Sequence, residues 1–449
     1  MIDRENETYD VVGIGFGPSN LALAIALQER GLDGSESGLS SHFFERQHRF
    51  GWHRNMLLPS TTMQISFLKD LVTFRNPTSR FSFISFLHAS GRLPQFVNNQ
   101  DFFPTRQEFH QYLEWAQSQV AGHVSYGSEV TSIQPVQDAT GEAPDRLRLT
   151  VVAGATGQVD RVVEARNVVI STGLVPRMLD GVESDERVWH SSEFLHKFHC
   201  MDPASLRRVA VVGAGQSAAE ITRFLYDQLP HAEVSAIIPS YGYSVADDTP
   251  FANQIFDPGA VDDYYFGSEQ TREAFWRYHR NTNYSVVDDE VIRDLYRRTY
   301  DDEVRGVQRL HFLNLTRVVD VKRAGPETRV SLRVGPGGET RELEVDALVC
   351  ATGYHSMEPT KLLRDLDQHC LRDEAGRFRM ERDYRIATTP YLSSGIYLQG
   401  GTEHTHGLSS SLLSNIAVRS GEITDSIVAR GAGLSTKRSM FAQAAGGIR

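Results

Sequence analysis

Two stretches of the chain repeat one design, in which an apolar run breaks at closely spaced glycines and resumes with helical spacing. The first is TYDVVGIGFGPSNLALAIALQER, and the second is RRVAVVGAGQSAAEITRFLYDQL, residues 207–229. A buried strand that turns on glycine into a helix presents unpaired backbone N–H groups to an anion, and this unit binds a dinucleotide pyrophosphate. Two such units confine the chain to the α/β class, with two Rossmann-like domains.

In the first unit, Gly13 permits the tight turn and Gly15 lets a pyrophosphate approach the backbone. After Gly17, Pro18 suits the opening turn of the helix and stands where a third glycine is usual. The next strand, HFFERQ, ends in Glu45, where an acid can hydrogen-bond an adenosine ribose. The flexible surface loop GLDGSESGLS (31–40) absorbs the extra distance between Gly13 and Glu45. The second turn is Gly213-Ala214-Gly215-Gln216-Ser217, and the strand after it ends in Ile238-Pro239-Ser240 with no acid. Lack of a carboxylate there favours NADP over NAD. Two dinucleotide domains in one chain imply a flavin beside a nicotinamide.

Further along, Thr105 is a good N-cap for RQEFHQYLEWAQSQV, whose apolar stripe runs through Phe109, Tyr112, Leu113 and Ala116. RNVVISTG (166–173) and DALVCATGY (346–354) read as buried strands whose glycine ends return the chain to the flavin domain. The predicted organisation is a first part of the FAD domain over 1–205 and an NADPH domain with substrate-binding segments over 206–345. A return segment of the FAD domain that closes the substrate pocket covers 346–430, and a disordered tail covers 431–449. A smaller, partly helical region binds the substrate.

A net charge of −11 argues against a nucleic-acid partner, which needs a basic face. The polar start MIDRENETYD is neither a signal nor a transit peptide, and the longest apolar stretch is broken by glycines, so no membrane span is expected. Cys200, Cys350 and Cys370 form no CxxC pair, which removes disulfide-reductase chemistry, favours oxygen chemistry and fits a reducing cytoplasm. His404 and His406 have no carboxylate-rich or cysteine-bearing companion stretch, so no metal site is expected. Lys69 stands among Ile65, Phe67, Leu68, Leu71, Val72 and Phe74. Its stem lies along the core with the ammonium in water, or its ammonium waits in a pocket for an anion.

The segments GFGPSNLALAIAL, MQISFLKDLVTFRNP, GAGQSAAE, DDTPFANQIF, NTNYSVVD, ATGY and HGLSSSLLS, in this order, resemble the microbial N-hydroxylating flavoprotein monooxygenases. The likeness is nearest to the L-ornithine N5-monooxygenases and runs from about residue 9 to 425. It implies tightly held FAD, NADPH as reductant, and a C4a-hydroperoxyflavin that passes one oxygen atom to the side-chain amine. It implies that Lys69 pairs with the substrate α-carboxylate, that Asn253 holds the same end, and that Gln254, Ile255 and Phe256 line the pocket. Asn283, with Tyr284 and Ser285, is implied at the substrate amine and the nicotinamide nucleotide, and Ser414 at the substrate. Flavin contacts are implied for Gln64 and for Ser411, Leu412 and Leu413. On the adenine side they fall on Glu45, Arg46, Gln47, His48, Trp52, His53 and the backbone of Val130. Gly213 to Ser217 correspond to the NADP turn. Without the resemblance, Asn253 reads as a turn residue after Pro250, and Asn283 as the cap of the helix in VVDDEVIRDLYRR.

Pro239 stands where some members carry an arginine for the NADP 2′-phosphate, which weakens the expected preference over NADH. His190 and Phe194 match only the end of the signature of Baeyer–Villiger enzymes. A lysine N6-hydroxylase or diamine hydroxylase is the alternative within the family, and a non-catalytic redox sensor is the alternative outside it. The family also implies a homo-oligomer, commonly a tetramer, and a role in hydroxamate siderophore or related natural-product synthesis.

Overall fold

The computed structural model describes residues 7–31, 39–137, 143–154, 156–325, 327–357 and 359–445, with side chains described as far as residue 431 except at 324. Most of the GLDGSESGLS loop lies outside the described residues.

Among the described residues, a seven-stranded sheet carries the first glycine unit. Its strand Glu7–Ile14 runs parallel to Ser41–Glu45 on one side and to Val159–Ile170 on the other. Val124–Tyr126 extends the sheet beyond Ser41–Glu45. On the far side of Val159–Ile170, the antiparallel strand Leu147–Ala153 covers the first half and the parallel strand Gly395–Leu398 covers the second. Ser128–Pro135 closes that edge. The helix Pro18–Glu29 is buried along almost its whole length, because it packs between this sheet and the last helix, Ile416–Ala445.

The second sheet is wholly parallel, in the spatial order Leu310–Leu313, Glu233–Ile237, Arg208–Val212, Ala347–Cys350, Val188–His190. The helix Gln216–Gln228 covers one of its faces, and an antiparallel three-stranded sheet over 316–345 accompanies it. Each sheet has apolar clusters of its own.

Three expectations need correction. The strand of DALVCATGY belongs to the second sheet, beside Arg208–Val212, and Val188–His190 joins it there. The second domain therefore extends past both expected boundaries, 205/206 and 345/346. A strand buried on both faces is apolar throughout and carries no sign of which sheet it joins. ATGY does begin the return to the first domain: Tyr354–His355 pairs antiparallel with Val175–Pro176, so the outgoing and returning links run side by side. Finally, the last helix continues to Ala445, where a disordered tail from 431 is expected; its Lys, Arg, Met, Gln and Ala residues are good helix formers.

The same crossing builds both glycine turns. Gly15 has φ +81°, and a Cβ there would lie 2.4 Å from the carbonyl oxygen of Ser171, just past the neighbouring strand. At Gly213 a Cβ would lie 2.3 Å from the carbonyl of Ala351, just past the neighbouring strand of its own sheet. Fully buried Asn20 braces the first turn by donating to Gly15 O at 2.7 Å and accepting from Gln399 at 3.0 Å. Gly15→Ala should therefore destabilise the protein by about 2 kcal/mol or more, from positive-φ strain plus the backbone clash. Chemical denaturation of the FAD-free protein checks this, and an unchanged midpoint would contradict it.

Candidate active site

Four segments distant in sequence meet between the sheets, at 64–70, 252–257, 283–288 and 403–414. They are held by polar contacts that cross from one dinucleotide domain to the other.

The firmest crossing begins at Arg106, the first residue of a helix capped by Thr105, whose hydroxyl accepts from Glu108 N–H at 3.1 Å. Arg106 donates to both carboxylate oxygens of Glu220, at 2.8 and 2.9 Å, and to Met56 O at 2.9 Å. Glu220 lies on the helix that follows the second glycine turn and is 2% exposed. One turn earlier, Gln216 donates to Glu220 at 3.0 Å and to Asp288 at 2.7 Å, and it accepts from the Asp288 N–H at 2.9 Å. Gln64, from the first domain, donates to the other Asp288 oxygen at 3.0 Å. Burial raises the Asp288 pKa and the charge of Glu220 adds to this, while the two glutamine amides and Arg106 oppose it.

Lys69 sits on a turn fixed by its neighbour. The Asp70 carboxylate, 3% exposed, accepts from the N–H groups of Val72, Thr73 and Phe83 at 3.0, 2.7 and 2.7 Å. The Lys69 ammonium is half-buried and lies 5.8 Å from the Phe256 ring centroid. Among the described residues, no carboxylate oxygen comes within 4.0 Å of it. Burial lowers its pKa, and the charge of Asp257 partly restores it. The turn Ala252–Phe256 in turn packs against Leu408–Ser411.

Within that turn, Asn253 donates to Asp248 O at 2.7 Å, so its amide nitrogen serves the turn. Ile255 is buried and Gln254 is exposed, so the segment does not line a pocket uniformly. Asn283 is half-buried and does not cap the next helix, since Asp288 occupies the cap position. Tyr284 donates to Glu403 at 2.6 Å, and Ser411 donates to the same oxygen at 2.6 Å. Burial, with the Glu403 charge, raises the Tyr284 pKa. Ser285, at φ +59°, lies 3.9 Å from where a Cβ on Gly215 would be, so NTNYS abuts the second glycine turn. Ala214 and Ser217 belong to that turn and to the first turn of its helix.

The residues present fit FAD and NADPH. Gly17, at the N-terminus of the first glycine helix, faces open space, and Gly215 is nearly as open. Glu45 accepts from Phe16 N–H at 2.7 Å and Gln47 N–H at 2.8 Å, so its two oxygens brace the turn. Arg46, Gln47 and His48 are exposed, and Val130 is buried near a strand bulge. His53 has accessible surface yet is ringed by protein, which pushes its pKa down to about 4 by desolvation with Arg106 beside it. Trp52 stands edge-on to His53 at 4.7 Å. Among the described residues, the buried hydroxyls of Ser410 and Ser414 and the Asn415 side-chain oxygen have no hydrogen-bond partner. Leu413 packs on the first core, and Leu412 is half-buried. His404 and His406 face the carbonyls of Phe378 and Arg382 at 2.8 and 3.1 Å.

Sequence reasoning missed Arg106, Glu220, Asp288, Glu403 and Arg419. Arg419 is 1% exposed and donates to Ser410 O and to Gln399 and Ser19 at 3.4 and 3.3 Å, joining the first glycine helix to the 408–411 turn. A signal for Glu220 existed. The helical period of Ala218, Ala219, Ile221, Thr222 and Leu225 places it on the buried face.

A family model described as L-lysine 6-monooxygenase/L-ornithine 5-monooxygenase matches residues 7–356. The chain belongs to this family. It is 41% identical to the L-ornithine N(5)-monooxygenase of Burkholderia cepacia, over 90% of this chain and 91% of that protein. It is 63% identical, with TM-score 0.90, to a solved structure of the Kutzneria sp. 744 ornithine N-hydroxylase with reduced FAD, NADP+ and L-ornithine, over 94% of this chain and all of that one (100%). The L-lysine 6-monooxygenase of Pseudomonas syringae is more distant, at 31% identity and TM-score 0.81, over 94% and 99% of the two chains. Among the described residues, no helix is long and apolar enough to cross a membrane.

Ser414 gives a test that separates binding from folding. Removing an unpartnered buried hydroxyl relieves a desolvation cost. Ser414→Ala should leave the ligand-free protein as stable as before, or more stable by up to about 1 kcal/mol, while affinity for ornithine falls. Paired denaturation and ligand titration check this; a destabilised protein with unchanged affinity would contradict it.

Proposed function

We propose that the chain is an FAD- and NADPH-dependent L-ornithine N5-monooxygenase, which converts the side-chain amine to N5-hydroxy-L-ornithine with molecular oxygen. The observation that carries the reading is Lys69, a half-buried ammonium beside Phe256 with no protein carboxylate in ion-pair range among the described residues. A substrate α-carboxylate would complete that pair through a charge-assisted hydrogen bond. The higher identity to the ornithine hydroxylase than to the lysine enzyme favours the shorter substrate.

Bound FAD and NADPH supply the reductive activation of oxygen. The residues of the chain orient the substrate, exclude water and govern its charge. Lys69 and Asn253 fix the α-carbon end, so that side-chain length decides where the terminal nitrogen lies. Orientation of this kind removes an entropic part of the barrier. Asn283 and Ser414 meet the far end, and the Tyr284–Glu403–Ser411 bridge holds their two segments together. A primary alkylamine has a pKa of about 10.4 in water and arrives protonated, so it must lose a proton before it can act as a nucleophile. Desolvation and the positive charge of Lys69 both disfavour a second ammonium in the same pocket. The product, a hydroxylated amine, suits hydroxamate siderophore or related natural-product synthesis. By family likeness, the enzyme works as a homo-oligomer.

The test is hydroxylamine formed per NADPH consumed, with ornithine, lysine and putrescine in parallel. Tight coupling with ornithine alone is expected, and Lys69→Ala should raise the ornithine KM by about 100-fold, the loss of one partly buried charge pair. Coupling with lysine instead would overturn the substrate. NADPH oxidation yielding only peroxide with every amine would overturn the hydroxylase reading.

A further inference from the structure

Asp288 holds the N-cap position of the helix Asp289–Val304, yet its side chain makes no capping hydrogen bond. An aspartate that caps is worth about 1 kcal/mol to its helix. Here the carboxylate turns away and accepts one amide from each domain, Gln64 at 3.0 Å and Gln216 at 2.7 Å. An ionised carboxylate only accepts, so each glutamine must face it with the nitrogen. For Gln216 the choice is enforced twice, because its oxygen accepts the Asp288 N–H at 2.9 Å while its nitrogen also reaches Glu220 at 3.0 Å. For Gln64 the contact with Asp288 sets the flip, leaving the carbonyl oxygen outside that contact.

Gln216 opens the helix of the second glycine turn, and Gln64 opens the segment that leads to Lys69. We propose that Asp288 is a positioning residue that fixes the amide orientation of Gln64 and ties it to the NADP-binding turn through Gln216. Arg106 and Glu220 anchor the far end, so the joint spans both domains. In this arrangement a nucleotide that settles on the second turn steadies Gln64, and disturbance of Asp288 loosens both. A turned-over Gln64 presents its donor in place of its carbonyl oxygen, and in this proposal the cost falls on how the electrons are used. The inference rests on the flavin- and NADPH-dependent reading of the site.

The test uses the FAD-loaded protein with Asp288→Asn, Gln64→Ala and the double variant. Asparagine keeps the shape of aspartate but offers a donor as well, so Gln64 is free to turn over. Expected for Asp288→Asn are unchanged FAD content, a melting temperature lower by no more than a few degrees, and an NADP+ dissociation constant about tenfold weaker by flavin absorbance titration, because the second turn is held less firmly. The share of NADPH electrons ending as peroxide should rise severalfold. In the Gln64→Ala background the same substitution should leave the peroxide share where Gln64→Ala alone puts it, because coupled residues are non-additive. Wild-type partition and NADP+ affinity in Asp288→Asn, or an equal rise of peroxide in both backgrounds, would overturn the proposal. A wild-type protein that forms no hydroxylamine would instead overturn the hydroxylase reading. In that event the NADP+ titrations decide this proposal, with an undiminished affinity in Asp288→Asn overturning it.

Discussion

The paired hydrogen bonds from Arg106 to Glu220, at 2.8 and 2.9 Å, fix where the second dinucleotide domain stands against the first. Glu220 is buried, and a buried carboxylate that loses its cation is costly by about 3–5 kcal/mol. The pair thus adds a directional contact to the apolar one made by Met56 and Leu58, which pack into the core of the second sheet. Gln216, Asp288 and Gln64 extend the contact toward the cleft. Hydride donor, flavin and substrate must meet within bond-forming distance, so the relation of the two turns is a chemical requirement as much as a structural one.

Around the cleft, the chain leaves polar groups unsatisfied that a purely structural core would pair. Among the described residues, Ser410 and Ser414 keep buried hydroxyls without hydrogen-bond partners, and Lys69 keeps a half-buried ammonium without a carboxylate in ion-pair range. The two hydroxyls depart from the rule that buried polar groups are hydrogen-bonded, while the Lys69 ammonium is only half-buried. They lie on segments braced from behind, by the Asp70 carboxylate for Lys69 and by buried Arg419 for the 408–411 turn. In the proposed function such groups are held ready for a ligand, at some cost in stability that the larger cores offset.

The local code of the fold was legible. Both strand–glycine–helix units, the Thr105 cap and the buried stripe of its helix stand where the residue pattern places them. Sheet membership was not, because the strand Ala347–Cys350 is apolar on both faces and suits either sheet equally. Family likeness placed Lys69, Asn253, Asn283 and Ser414 as candidates, and the fold brings their segments into contact with one another. The residues that hold those segments escaped notice. A glutamate in mid-helix, such as Glu220, and an aspartate at a helix start, such as Asp288, have common surface explanations. Only the chain's return across the cleft gives them partners. Glu403 is similar, since its partners Tyr284 and Ser411 are 119 and 8 residues away.

The central claim is that Lys69 awaits a substrate carboxylate. A crystal structure of the FAD-loaded protein with NADP+ and L-ornithine tests it most directly. The predicted result is the α-carboxylate within about 3 Å of the Lys69 ammonium, the usual range of a charge-assisted hydrogen bond, with the side-chain nitrogen pointing to the flavin. Ornithine bound with its carboxylate elsewhere, and Lys69 still beside Phe256 without an anion, would contradict it.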